Sequence, residues 1–212
     1  MREVISNEWF TILIVLCLAV LAVAKFAYNK RFSDFISVIG NSKYLKIYAR
    51  DQKFIDQFDA LLFVNLIISS SIFVYLAYTT LVEQLVFEMG LFFKIMVGLG
   101  GLILIKILLE RLIASVFDID ELIDSYIFQK TNYKNYLGLI LLPVNIILIY
   151  SLTPNKLIIL IFLGLLFLVN AIGFLTSFRT HQKLILNNWF YFILYLCALE
   201  IGPYVILYKV FN

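Results

Sequence analysis

The chain has 212 residues, of which 63% are hydrophobic and only 15% charged, and its net charge is +3. A soluble domain is about half apolar and about a quarter charged. This composition therefore excludes an ordinary soluble enzyme and points to a membrane protein, with the lipid bilayer rather than nucleic acid as the expected partner.

Six helical spans are expected in chain order, at about 9–28, 58–78, 91–109, 136–152, 157–177 and 189–208. Uncharged runs at 60–82, 135–155 and 157–178 are each long enough to cross a hydrocarbon core of roughly 30 Å as a helix. No alternating segments of barrel type occur, so the fold class is all-α: a polytopic six-helix transmembrane bundle, read as one integral membrane domain. The first span is expected to be retained. Glu3 and Glu8 stand where a signal peptide would be basic, and no small-residue cleavage site follows.

Between spans 1 and 2, residues 30–57 read KRFSDFISVIGNSKYLKIYARDQKFIDQ. Phe32, Phe35, Ile36 and Ile39 share one helical face, and Gly40-Asn41 ends it. Lys30, Arg31, Lys43, Lys46 and Arg50 make this amphipathic segment, together with Arg179 after span 5, a candidate contact for lipid headgroups or a partner. The loops after spans 1, 3 and 5 hold eleven of the seventeen Lys and Arg residues, and the opposite side holds only Arg2, Lys156 and Lys209. The basic side is expected to be cytoplasmic, which places both termini in the periplasm of a multi-pass inner-membrane protein.

The second cytoplasmic segment, 110–135, has a different character. Leu109, Leu112, Val116, Ile119, Ile123 and Tyr126 recur at alternating spacings of three and four, a narrow apolar seam. Asp118, Asp120, Glu121 and Asp124 surround it. Acidic groups gain nothing from an anionic leaflet. The expectation is that span 3 runs on as a helix and that its seam packs against protein, either the 30–57 segment or a partner subunit.

No phosphate-binding, nucleophile-elbow or zinc-protease motif occurs, and His181 is the only histidine. No metal, cofactor or catalytic residue is expected. The two cysteines, Cys17 and Cys197, fall within spans and are expected to be reduced thiols. The unusual residues are the polar ones inside the spans. At about 1.5 Å per residue, Glu200 lies roughly 16 Å from the cytoplasmic end of span 6. Ser69 lies at a similar depth, Asn145 at about 13 Å, and Asn65 and Asn170 at about 10 Å. Pro203 frees the carbonyl of Leu199 beside Glu200. Together these residues form a candidate intramembrane polar site. Two roles stay open for it: an interhelical hydrogen bond that fixes packing, or proton and ligand handling.

The stretch NNWFYFILYLCALEIGPYVILYK carries Asn188, Phe190, Cys197, Leu199, Glu200, Ile201, Pro203 and Lys209. With Arg179 and the KRF at 30–32, it resembles domain of unknown function 4271, a family of Bacteroidota membrane proteins. Gly202 departs from the pattern, where a larger apolar residue is expected. The resemblance implies an inner membrane and no known activity. The expected function is that of a non-enzymatic subunit or assembly factor of a larger envelope complex, with secretion or gliding machinery as an analogy drawn from the phylum. A small proton-coupled transporter centred on Glu200 and a lipid-binding protein are the alternatives.

Overall fold

The computed structural model describes residues 8–37, 44, 48, 56–82, 88–116, 120–152 and 155–180, without the side chains of 120–123, 125 and 171–180. The described residues are helical apart from short connections. Helix α1 covers Glu8–Ala27, α2 Asn29–Ile36, α3 Gln57–Leu81, α4 Met89–Val116, α5 Asp120–Ile146 and α6 Lys156–Thr180, with a π-helical turn, Ile147–Ser151, after α5. A backbone in lipid has no water to bond, so apolar segments of this length close their hydrogen bonds internally as helices. Four segments are long and apolar enough to cross a membrane: Glu8–Ala27, Gln57–Leu81, Met89–Val116 and Tyr126–Ser151.

Contacts between the helices define an up-and-down bundle. Phe10 meets Tyr75 at a ring separation of 5.9 Å, while Tyr28 meets Phe58 at 5.7 Å, so α1 and α3 run antiparallel. Helix α4 returns antiparallel to α3, with Phe92 against Tyr75 and Gly100 against Ile67. Helix α5 then runs parallel to α3: Gly138 abuts Leu66 and, further along both helices, Asn145 reaches Ser69. This alternation brings α2, the start of α3, the end of α4 and the start of α5 to one end of the bundle, here termed the α2 end.

Two apolar clusters hold the bundle. The larger one joins Phe10, Ile14 and Cys17 of α1 to Ile68, Ile72 and Leu76 of α3, with Phe92, Leu141, Leu148 and Ile159. The second lies at the α2 end and is largely aromatic: Phe32, Phe35, Tyr44, Phe58, Phe128 and Tyr133 around Ala24 and Leu62. Phe35 stands edge-on to both Tyr44 and Phe58, at 5.7 and 5.9 Å, the arrangement favoured by ring quadrupoles. On α2, Phe32 and Phe35 are buried as their spacing predicts, whereas Ile36 is 48% exposed. Ile39, the fourth residue of the expected face, lies outside the described residues.

The apolar seam differs from its expectation. Helix α4 does run on to Val116, but the seam does not continue along a single helix. Arg111 pairs with Asp124 at 3.3 Å, whereas on one straight helix the two would stand about 20 Å apart. The chain folds back, and the seam is divided between α4 and α5. On α4 it is Glu110 and Ala114 that turn inward, while Leu109, Leu112 and Val116 are exposed by 43%, 61% and 71%. Tyr126 on α5 is buried. Ile119 lies outside the described residues, and the side chain of Ile123 is not described.

Candidate functional site

Helix α5 carries several buried polar side chains. Gln129, Asn132 and Asn135 follow one another at intervals of three residues, Gly138 continues the row, and Asn145 lies two turns beyond. All four polar side chains are buried. On α3, Asn65 and Ser69 are buried as well, with 0% and 1% exposure. The absence of a side chain at Gly138 allows the two helices to touch: a Cβ there would come within 2.6 Å of Leu66 Cα. Small residues permit this kind of close approach between membrane helices.

The hydroxyls and the amides on this interface behave differently. Ser71, Thr79 and Thr80 return their hydrogen bonds to carbonyls three or four residues back on α3. Ser69 Oγ lies 3.8 Å from the thiol of Cys17, which is free and buried. Asn145 donates across the interface to the Ser69 carbonyl at 2.8 Å, and Asn132 donates to the Phe128 carbonyl at 2.9 Å. The Oδ1 atoms of Asn132 and Asn145, and both polar atoms of Asn65 and of Asn135, have no hydrogen-bond partner among the described residues.

Above this level α5 changes its winding. Pro143 has no N–H to offer the Leu139 carbonyl. Four residues later the helix widens, and Leu152 N–H donates to the Ile147 carbonyl at 2.9 Å, a π-helical bond.

Two ionic clusters close the α2 end. In the first, the Arg31 guanidinium pairs with Asp56 and with Asp59, the latter at 3.2 Å, and lies over the rings of Tyr48 and Phe58 at 5.1 and 4.8 Å. Its Nε donates to Tyr44 Oη at 3.4 Å. Burial by itself would lower the Arg31 pKa, but the bonds to Tyr44 and Asp56 outweigh it and the guanidinium is held charged. Burial, followed by the charge of Asp59, pushes the Tyr44 phenol above the usual tyrosine range. Asp56 also caps α3, accepting from Phe58 N–H at 3.3 Å, so Arg31 ties the α2 helix to the start of α3. In the second cluster, Lys130 donates to Glu110 at 2.6 Å; the Glu110 side chain is 1% exposed and that of Lys130 15%. Arg111 and Asp124 lie beside them.

Of the residues singled out in the sequence, the structure brings together Asn145 and Ser69 on the α3–α5 interface, and Asn65 is buried on α3. Asn170 is exposed on α6. Glu200 and Pro203 lie outside the described residues, as do Cys197, His181, Lys43, Lys46 and Arg50. Arg179 lies within α6, its side chain not described, and Lys30 is exposed on α2. Sequence reasoning passed over Gln129, Asn132, Asn135 and the Glu110–Lys130 pair, because 110–135 was read as a surface segment. The signal was present as three amides within seven residues, which is unusual for a solvated charged segment, although their three-residue spacing winds around the helix rather than marking one face.

Chemically the interface offers neutral amides, both donors and acceptors, and no acid–base pair among the described residues. Among the described residues no three His, Cys, Asp or Glu side chains come together in a way that could hold a metal ion. No curated protein and no solved structure matches the chain. One family model does match, over residues 10–211, and the chain accordingly belongs to the family described as Domain of unknown function (DUF4271).

Proposed function

We propose that this protein is a non-enzymatic subunit or assembly factor of a larger envelope complex. It sits in the inner membrane of a Gram-negative cell with the α2 end in the cytoplasm and both termini in the periplasm. The excess of Lys and Arg on the loops of that end supports the orientation. The observation that carries the reading is the outward face of α4, where Leu108, Leu109, Leu112 and Val116 are 43–71% exposed. This 28-residue helix is about 42 Å long, well beyond a hydrocarbon core of roughly 30 Å. Its last turns therefore project past the bilayer, and lipid does not cover Leu112 and Val116 there. The following residues include Asp118, Asp120 and Glu121. An apolar strip bordered by acids suits a partner helix with an apolar face and basic flanks, and disfavours an anionic leaflet.

The test is native purification with mass spectrometry of co-eluting proteins, comparing the wild type with Leu112→Asp/Val116→Asp. Loss of one set of membrane proteins, with the variant itself still folded and inserted, is the expected result. An unchanged set would defeat the reading. A reporter fused at Asn212 tests the orientation, with a periplasmic signal expected.

Transport is the second reading, favoured by the buried polar side chains of α3 and α5. It requires Glu200→Gln to abolish activity in cells while the melting temperature in detergent stays near the wild-type value. A lipid-handling role receives less support, since Arg31 is already engaged by Asp56 and Asp59.

A further inference from the structure

The helical ladder does not stop where α1 meets α2. Tyr28 N–H donates to the Ala24 carbonyl at 3.0 Å and Phe32 N–H to the Tyr28 carbonyl at 2.8 Å, so one helical surface bends at Tyr28 and continues. Ala24, Phe32 and Phe35 are buried on its inner side. Lys25, Phe26, Asn29, Lys30 and Ser33 are exposed on its outer side, Phe26 by 94%. We propose that this outer corner binds an anionic phospholipid, with Lys25 and Lys30 on the phosphate of its headgroup and Phe26 against its acyl chains.

Depth, apolarity and charge select this occupant. From Trp9 to Phe26 helix α1 rises about 26 Å, close to a hydrocarbon core of roughly 30 Å. Phe26 therefore stands where acyl chains meet headgroups. Val15, Leu18 and Val23, nearer the middle of α1, are exposed as a lipid-facing surface requires. Lys25 lies just inside that level, and its aliphatic stem can carry the ammonium out to the phosphates. No ion pair engages Lys25 or Lys30 among the described residues, whereas Arg31 is held by Asp56 and Asp59. The acids of α1 and α2 are Glu8, at the far end, and Asp34, which accepts from Tyr48 at 3.2 Å. The outer corner is thus positive, with an apolar ring beside the charge, and it complements a lipid that has both an anionic head and chains. A free phosphate would leave Phe26 uncovered. The inference depends neither on the docking role proposed for α4 nor on the orientation of the chain.

The experiment is native mass spectrometry of the full chain in detergent, titrated with phosphatidylglycerol or with phosphatidylcholine of the same acyl chains. The wild type is expected to bind several-fold more phosphatidylglycerol than phosphatidylcholine. Lys25→Gln/Lys30→Gln should remove most of that preference, and Lys25→Arg/Lys30→Arg should retain it. Both lysines are exposed, so these changes leave the core untouched. Lys94→Gln/Lys156→Gln neutralises two exposed lysines at the opposite end of the bundle and should leave the preference in place. Glycerol phosphate, a headgroup without chains, should not displace the bound phosphatidylglycerol. Equal binding of the two lipids by the wild type would overturn the proposal. So would a preference that survives in Lys25→Gln/Lys30→Gln, or one lost equally in Lys94→Gln/Lys156→Gln. Displacement by glycerol phosphate would reveal a site for free phosphate and would also overturn it.

Discussion

Helices α3 and α4 have the same mean hydropathy, yet 61% of the central window of α3 is buried inside the protein and only 11% of that of α4. In a soluble protein equal apolarity would predict roughly equal burial. In a bilayer the lipid is as apolar as leucine, so apolar surface gains little by leaving it. What separates the two helices is their polar and small residues. Helix α3 carries Asn65, Ser69 and Ser71 inward and is ringed by α1, α4, α5 and α6. Helix α4 carries no comparable polar row and turns inward at few residues: Phe92, Gly100, Glu110 and Ala114. Polar groups select the central helix of this bundle, and α4 is held at one end by a charge.

The largest effect is expected where α4 depends on that charge. Glu110→Ala strips the carboxylate from Lys130 at a largely buried site and should cost about 3 kcal/mol. Glu110→Ala/Lys130→Ala should cost clearly less than the two single changes added together. Thermal unfolding of the four proteins in detergent provides the cycle, and simple additivity would mean the pair does not anchor α4 to α5.

Glycine substitutions sharpen the contrast between the two helix environments. Gly138→Ala places a methyl group against the Leu66 backbone and must move α5 from α3, at a cost of about 2 kcal/mol. Gly98→Ala on the outer face of α4 meets nothing within 4 Å and should stabilise by up to about 1 kcal/mol through helix propensity. Similar melting temperatures for the two variants would contradict the close approach of α3 and α5.

The smallest effect is expected at Asn145. Asn145→Ala removes its bond to the Ser69 carbonyl, and interhelical hydrogen bonds in membranes are worth about 0.6 kcal/mol on average. A loss above about 2 kcal/mol would indicate that Asn145 supports more than this one bond.

The sequence was informative where one physical rule acts alone. Crossing lipid requires long apolar helices, so the apolar runs from 60–82 and 157–178 locate helices that the structure places in α3 and α6. Asn65, Ser69 and Asn145 are buried while Asn170 is exposed on α6, so the tendency of polar groups to avoid hydrocarbon does not by itself place each of them. The periodicity of Leu109, Leu112 and Val116 was less informative. A spacing of three and four marks a face of a helix, but in a membrane protein that face can meet lipid, a partner or the core.

The sequence alone therefore determined that the chain is helical, that it is built to cross a membrane and which positions within its spans are polar. These properties depend on the local solvent of each segment. Only the tertiary structure decided that α4 turns back before Asp120, that Glu110 rather than the leucines faces inward, and that Gly138 brings α5 onto α3. Those outcomes depend on pairings between residues twenty or more positions apart, such as Glu110 with Lys130 and Leu66 with Gly138. No local preference encodes such pairings. They emerge when the helices compete for the few polar and small surfaces that the bilayer cannot satisfy.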